Sequence, residues 1–361
     1  MATDPVSSTV ANDRTLPSGR RFFHRLSRAL PALLLLVLAA PTAAAPITEI
    51  HYTMGTYFSI TIDGSSEPAV RPLIRRCFTE ARRLESVFSL YDPASELSRL
   101  NARNGQGAIA VSTDLADLLQ RSLKLGADTD GAFDVTIGAL TQLWRTTSSW
   151  PPETVATAMQ GDAGTRVRLA GHRLVSLASG VDLDFDGVAK GYAVDRCVTL
   201  LRASGITRAL LSLGESSQYA LGRPMGAKTW KVTVRDLTGD SALGTLELSE
   251  QALSVSAVFG HERRIGNRRM GHIIDPRTGE PLVAPASVVV VAESATAAEA
   301  WSKALLMRGP PSPPSERKSG RSRGFSGALR ITPSGVQPLG KIAFKQFESP
   351  RPIRADQEPL R

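Results

Sequence analysis

Cysteine is nearly absent: Cys77 and Cys197 are the only two in 361 residues. That excludes a disulfide-stapled scaffold and any cysteine-based metal motif. Each sits in an apolar stretch with helical spacing, so the pair reads as two buried small hydrophobes rather than as a bridge. Aromatic residues are sparse too, at 6%. No basic stretch interleaved with aromatics lies between the two basic clusters, so the formal charge of +9 does not point to nucleic acid. The excess sits in Arg14, Arg20, Arg21, Arg25 and Arg28, and again in Arg308, Arg317, Lys318, Arg321 and Arg323. The first group reads as a targeting region and the second as a solvated linker. Long apolar runs are missing except for ALPALLLLVLAAPTAAA at 29–45, which is short for a membrane span. It follows a charged segment and ends in small residues, the pattern of a secretory signal cleaved near Ala44 or Ala45. Pro46 argues against cleavage directly after Ala45. Arg20-Arg21-Phe22-Phe23 loosely resembles a twin-arginine signal, and ordinary Sec export fits equally well. No cysteine follows the apolar run, which excludes a lipobox anchor. The expectation is an exported, periplasmic protein with no stable membrane span once processed. Internal repeats are absent as well.

What remains is long enough, at 42% apolar content, for one large domain with an ample core. ITEIHYTMGTYFSITI (47–62) alternates as strands broken at Met54-Gly55-Thr56. Residues 67–88 carry Val70, Leu73, Ile74, Cys77, Ala81, Leu84 and Phe88 at helical spacing, and Asp92-Pro93 then forces a turn. Ser95 with Glu96 opens a short helix. Thr113 or Asp114 caps a helix over 115–129 that Asp130-Gly131 ends. Residues 133–144 read as a further helical piece, and 151–164 as a polar excursion. Paired strands are expected over 167–185, then a helix over 188–203. Strands follow at 209–213, 229–234, 244–248, 253–258, 271–274 and 287–291, and a helix at 293–307. The mixed order argues α+β, a mixed sheet core with packed helices, rather than strict alternation. The expected boundaries are a signal peptide at 1–45, one domain at 46–308, a flexible Pro/Ser/Arg-rich insert at 309–325, a closing hairpin of the same domain at 326–349, and a loose tail at 350–361.

Two stretches carry chemistry. VDLDFDGVAKGYAVD (181–195) sets Asp182, Asp184, Asp186 and Asp195 around Lys190. On a strand the first three acids face one side. Gly187 permits a tight turn, and Lys190 falls on the first turn of a helix whose N-terminus favours anions. That set suits a nucleotide diphosphate with a cation; a solvated acidic turn with an ion pair accounts for the same residues. GHIIDPRTGEP (271–281) places His272 at the start of a short apolar run, with Asp275-Pro276 and Gly279 shaping a turn. Histidine is the natural base near neutral pH, and Arg277 is a candidate partner for phosphate. A hairpin turn with an incidental histidine is the plain alternative.

These stretches, with MGTYFSI (54–60), SLYDPASELSRLN (89–101) and GAFDVTIGAL (131–140), resemble the ApbE family of FAD:protein FMN transferases, in the family's order, over most of 47–308. The resemblance implies an α+β fold with FAD in a cleft. It implies cleavage of FAD at the diphosphate, attachment of FMN through a phosphoester to a Ser or Thr of an exported or periplasm-facing redox subunit, and release of AMP. It implies that Met54, Tyr91, Ala132, Phe133, Asp134, Asp184, Lys190, Ile273 and Ile274 line the FAD site. It further implies that the backbone of Gly187 lies at a magnesium ion, and that His272 is the base.

Two departures from the family pattern stand out. The family carries an Asp and, four residues later, a Thr that together hold magnesium. AAEAWSKALLM (297–307) has Glu299 and Lys303 there. Glutamate still ligates a hard cation, whereas an ammonium has no lone pair. Either Lys303 takes over part of the metal's charge in catalysis, or the metal clamp is lost and the protein binds FAD with little transfer. Glu215 and Ser216 stand where the family commonly has a Gly-Gly loop. A periplasmic FAD carrier and an FAD diphosphatase therefore remain beside the transferase.

Overall fold

The computed structural model describes residues 45–160, 163–258, 260, 262–308 and 324–352. β1 (Ile47–Thr53) and β2 (Thr56–Ile62) form a hairpin, followed by α1 (Glu67–Phe88), α2 (Glu96–Asn101), β3 (Ile109–Ala110) and α3 (Thr113–Asp128). Next come α4 (Gly138–Thr146), α5 (Pro152–Ala158), α6 (Ala163–Arg166), β4 (Val167–Ala170), β5 (Leu174–Leu177) and α7 (Ala189–Ala203). Strands β6 (Ala209–Leu213), β7 (Ser217–Leu221), β8 (Trp230–Arg235), β9 (Ser241–Leu248), β10 (Gln251–Ala257), β11 (Arg263–Ile265), β12 (Arg268–Met270) and β13 (Ser287–Ala292) lead to α8 (Ala295–Met307). β14 (Gly327–Thr332), β15 (Gly335–Gly340) and β16 (Phe344–Pro352) close the chain.

The centre is an eight-stranded sheet in the order β1-β2-β6-β7-β10-β13-β14-β15. Every pairing within it is antiparallel. The order explains SVVVVA, the sequence of β13. A central strand covered on both faces has no solvent side, so it reads as a continuous apolar run. Val288 and Val290 point into the core shared with α1, α7 and α8. Val289 and Val291 point the other way, into a second core closed by the three-stranded sheet β16-β9-β8 through Trp230, Val232, Leu246 and Leu248. Helices, large sheet and small sheet thus form three layers.

The α+β expectation stands, and several boundaries move. Ser112, not Thr113 or Asp114, caps α3: its hydroxyl accepts from the Leu115 N–H. Residues 133–137 form a turn ahead of α4 rather than helix. Residues 271–274 make a single bridge, Ile274 to Pro281, instead of a strand. β7 and the β11–β12 hairpin were not anticipated. The expected closing hairpin is β14–β15 alone; β16 leaves it and pairs with β9. Arg351 and Pro352 pair with Ala242 and Ser241, so ordered chain runs past the tail boundary expected at 350. Phe325 packs on Trp301 of α8, with ring centroids 5.1 Å apart, inside the end of the expected insert. The expected signal peptide up to residue 44, the expected insert at 309–323 and the tail beyond 352 lie outside the described residues. Both cysteines are free and buried where α1 meets α7, each thiol facing the other's carbonyl at 3.9 and 3.5 Å.

Candidate functional site

Residues 181–185 carry no ladder pairing, and 186–188 form a turn. Their backbone is held instead by the turn before α4 and by Asn101. Asp184 N–H donates to the Val135 carbonyl at 2.8 Å, Gly138 N–H donates to Asp182 at 2.9 Å, and the Asn101 amide bonds Leu183 in both directions at 2.9 Å. Alternation survives without a ladder: Val181, Leu183 and Phe185 are buried in the core. Asp184 accepts three protein donors. One oxygen accepts from the Asp186 N–H at 2.8 Å, the other from the Thr141 hydroxyl at 2.6 Å and from Arg145 at 3.1 Å. Arg145 also donates to Asp186 at 2.7 Å and lies 5.3 Å from the centre of the Tyr91 ring, whose hydroxyl donates to Asp186 at 3.3 Å. Desolvation and the adjoining Asp184 carboxylate push Asp186 up to about 6, against Arg145 and Lys190. Tyr91 itself is 74% exposed, an aromatic face open to a ligand.

The turn at Gly187 leads into α7, where the motif splits into two jobs. Gly191 is a packing residue: a Cβ there would lie 2.6 Å from the Ala295 backbone, so only glycine lets α7 and α8 touch. One turn on, Asp195 accepts from the N–H groups of Ala295 and Thr296 at 2.8 and 3.0 Å and from the Thr296 hydroxyl at 2.6 Å, anchoring the start of α8. Lys190 and Gly187 point to the other job. A Cβ on Gly187 would meet Lys303 Cε at 3.3 Å and the Phe133 ring at 3.4 Å. Lys303 therefore stands directly over the turn. Its ammonium is pulled down to about 8 by desolvation and by Lys190, against Glu299, Asp186 and Asp184. Glu299 is buried and tied on both oxygens: one accepts from the Gly191 N–H at 2.8 Å, the other from the Ser217 hydroxyl. It ties β7, α7 and α8 together.

The remaining expected residues are spread around this centre. Ala132 and Phe133 are buried beside the turn. Asp134 accepts from the Thr136 N–H and hydroxyl, both at 2.8 Å, and pairs with Arg166 at 3.5 Å, so it organises its own loop. His272 is half-buried, edge-on to Trp144 of α4 with centroids 6.4 Å apart. Ile273 packs into the main core, and Ile274 joins Ile137, Leu140 and Val155 in a small separate cluster. Arg277 is paired with Asp275 at 2.9 and 2.6 Å and reaches the Met307 carbonyl at 3.4 Å, so an acid of its own loop already neutralises it. Met54 sits at the β1–β2 tip with a left-handed φ of 51°, next to Gly55 at 73°. The β6–β7 tip repeats that geometry, Gly214 at 63° and Glu215 at 55°, and the Glu215 carboxylate turns away to Arg235 at 3.3 Å. Tyr91, Phe133, Asp184, Gly187, Lys190, Glu299 and Lys303 thus converge; Met54 packs against the main core, and Ile274 lies in a separate cluster.

The ApbE family pattern matches residues 54–315. The chain belongs to the ApbE family. The FAD:protein FMN transferase of Escherichia coli K12 is 28% identical over 285 residues, which span 75% of this chain and 81% of that protein. The Rhodobacter capsulatus FAD:protein FMN transferase is 31% identical over 335 residues, 89% of this chain and 62% of that protein. Among solved structures, the ApbE protein of Thermotoga maritima superposes with a TM-score of 0.71 at 24% identity, covering 82% of this chain and 97% of that one. The apo flavinyl transferase ApbE of Pseudomonas stutzeri gives 0.70 at 23%, covering 86% and 96%. These likenesses share the fold.

Within this ApbE chain, the donor set at Gly187 does not fit magnesium. Both Glu299 oxygens are occupied by protein donors, and Lys303 brings an ammonium where a hydroxyl ligand would be needed. The cationic turn and the open Tyr91 face do fit a flavin dinucleotide. Sequence reasoning missed Arg145, which joins Tyr91, Asp184 and Asp186. Its only signal was a lone cation on the α4 pattern, and nothing in the local sequence says which loop it reaches.

Proposed function

We propose that this chain transfers FMN from FAD to a Ser or Thr hydroxyl of an acceptor protein. The carrying observation is the pair Lys190 and Lys303 converging on the Gly187 turn beside the exposed ring of Tyr91. The related proteins named FAD:protein FMN transferase support the same reading. Phosphoryl transfer is largely positioning and charge stabilisation. Lys190 and Lys303 neutralise the diphosphate, and the close turn at Gly187 keeps the approach open. Tyr91 and Phe133 offer apolar faces to the flavin end. The acceptor oxygen attacks the FMN phosphorus as its proton passes to His272; the bond to the AMP oxygen breaks and AMP leaves. The nucleophile belongs to the acceptor, so no activated serine is needed here. Residues 1–45 read as an export signal, which makes an exported or periplasm-facing redox subunit the natural acceptor. Among the described residues, no helix is long and apolar enough to cross a membrane.

The test uses the mature protein, FAD and a candidate acceptor domain bearing a Ser/Thr site, read by intact mass. A gain of one FMN with one AMP released per acceptor supports transfer. AMP without a gain identifies a diphosphatase, and bound, intact FAD identifies a carrier, provided that a related transferase labels the same acceptor. His272→Ala should keep FAD binding and lower transfer at least ~100-fold, the usual weight of a general base; unchanged turnover removes His272 from the mechanism.

A further inference from the structure

Two ammonium groups at the Gly187 turn are short of counter-charge. Among the described residues neither Lys190 nor Lys303 has a carboxylate within ion-pair distance. The hydrogen bond Lys303 does make is to the Glu299 main-chain carbonyl at 3.4 Å, one turn back on its own helix. The nearby acids are engaged elsewhere. Asp184 is filled by Thr141, Arg145 and the Asp186 N–H, Asp186 is held by Arg145 and Tyr91, and Glu299 by Gly191 and Ser217. A partly desolvated ammonium without an anion is unfavourable and gains most when one arrives. Helix α7 begins at the same place with no side-chain cap on Val188, so its dipole adds to the demand for negative charge.

We propose that Lys303 stands in for the divalent cation of the family, so that this chain binds the FAD diphosphate without metal. The inference rests on the flavin-transfer reading of the site. Three observations carry it. Lys303 Cε packs over the backbone of Gly187, where the metal was expected. Glu299, the other expected ligand, is locked into a three-way structural tie, with each oxygen already accepting a protein donor. Lys190 on α7 completes a two-ammonium cradle from facing helices. A lysine serves phosphate as a point charge and needs no hydroxyl partner.

Equilibrium FAD binding, followed by flavin fluorescence on full-length mature protein, separates this from the transfer chemistry. With EDTA and no added metal, the wild type should keep its affinity within about twofold of that with magnesium. Lys303→Thr in EDTA should weaken binding at least ~10-fold, and Lys303→Arg should retain most of it. Thermal melts establish that each variant is folded. Loss of wild-type binding in EDTA with recovery on magnesium overturns the inference, as does a folded Lys303→Thr that binds FAD like the wild type in EDTA. A protein that binds FAD without metal yet labels no acceptor leaves the inference standing and removes the transferase reading. A protein that binds no FAD under either condition defeats both.

Discussion

Residue by residue, the site is a charge problem solved by shared partners. Asp186 is 43% exposed at its side chain, yet desolvation and the adjoining Asp184 carboxylate raise it to about 6, against Arg145, Lys190 and the Tyr91 hydroxyl. An unfolded carboxyl titrates near 3.9, so the folded protein holds an extra proton between about pH 4 and 6. That contribution to stability is fully present below the lower value and is lost as pH rises through about 6. The same ionisation puts a negative charge beside the diphosphate cradle. FAD affinity should therefore fall as pH rises from 5 to 7, and Asp186→Asn should flatten the profile; a slope that persists in the variant points to another group. Which acids do what was only partly legible. The cluster at 181–195 announced itself through its density of carboxylates around one lysine. Its division of labour did not, because Asp184 and Asp195 are defined by donors more than forty positions away in sequence, Thr141 on α4 and Thr296 on α8. The free charge of Lys303 is legible only once Glu299 is seen to be occupied.

At the level of elements, the α7–α8 contact is what fixes the cradle. Gly191 permits the approach, Asp195 docks the N-terminus of α8, and Glu299 clamps the pair to β7. Gly191→Ala forces a methyl into the Ala295 backbone and should cost about 2 kcal/mol or more in chemical denaturation. FAD affinity should drop with it, since Lys190 and Lys303 separate; a variant as stable as the wild type would show that the helices slide past each other freely. Helices and alternating strands such as α1, β2 and β6 were readable because their burial is periodic. β7 was not, since SQYAL is buried at every position and carries no period. Residues 271–274 read as a strand because GHII is apolar, but for a different reason: Ile273 and Ile274 fill two separate cores.

On the scale of the whole molecule, three layers share one large sheet, and the sequence pattern conveyed the class but not the partner of each strand. Cys77 and Cys197 illustrate the difference. Their apolar surroundings foretold burial, while only the packing of α1 on α7 places them face to face as free thiols. Burial also raises the Cys197 thiol well above its ordinary range. Neither cysteine should alkylate in the native protein, and both should do so in denaturant without prior reduction. Rapid native labelling would contradict the packing. The last strands have a consequence of their own. β14 pairs with β13, β16 reaches back to β9, and Leu329, Ile331 and Phe344 help to seal the second core. Partners this far apart in sequence mean that the second core cannot close until β14 and β16 have been made, so the earlier strands expose apolar surface during synthesis and the protein becomes a natural client for holding chaperones.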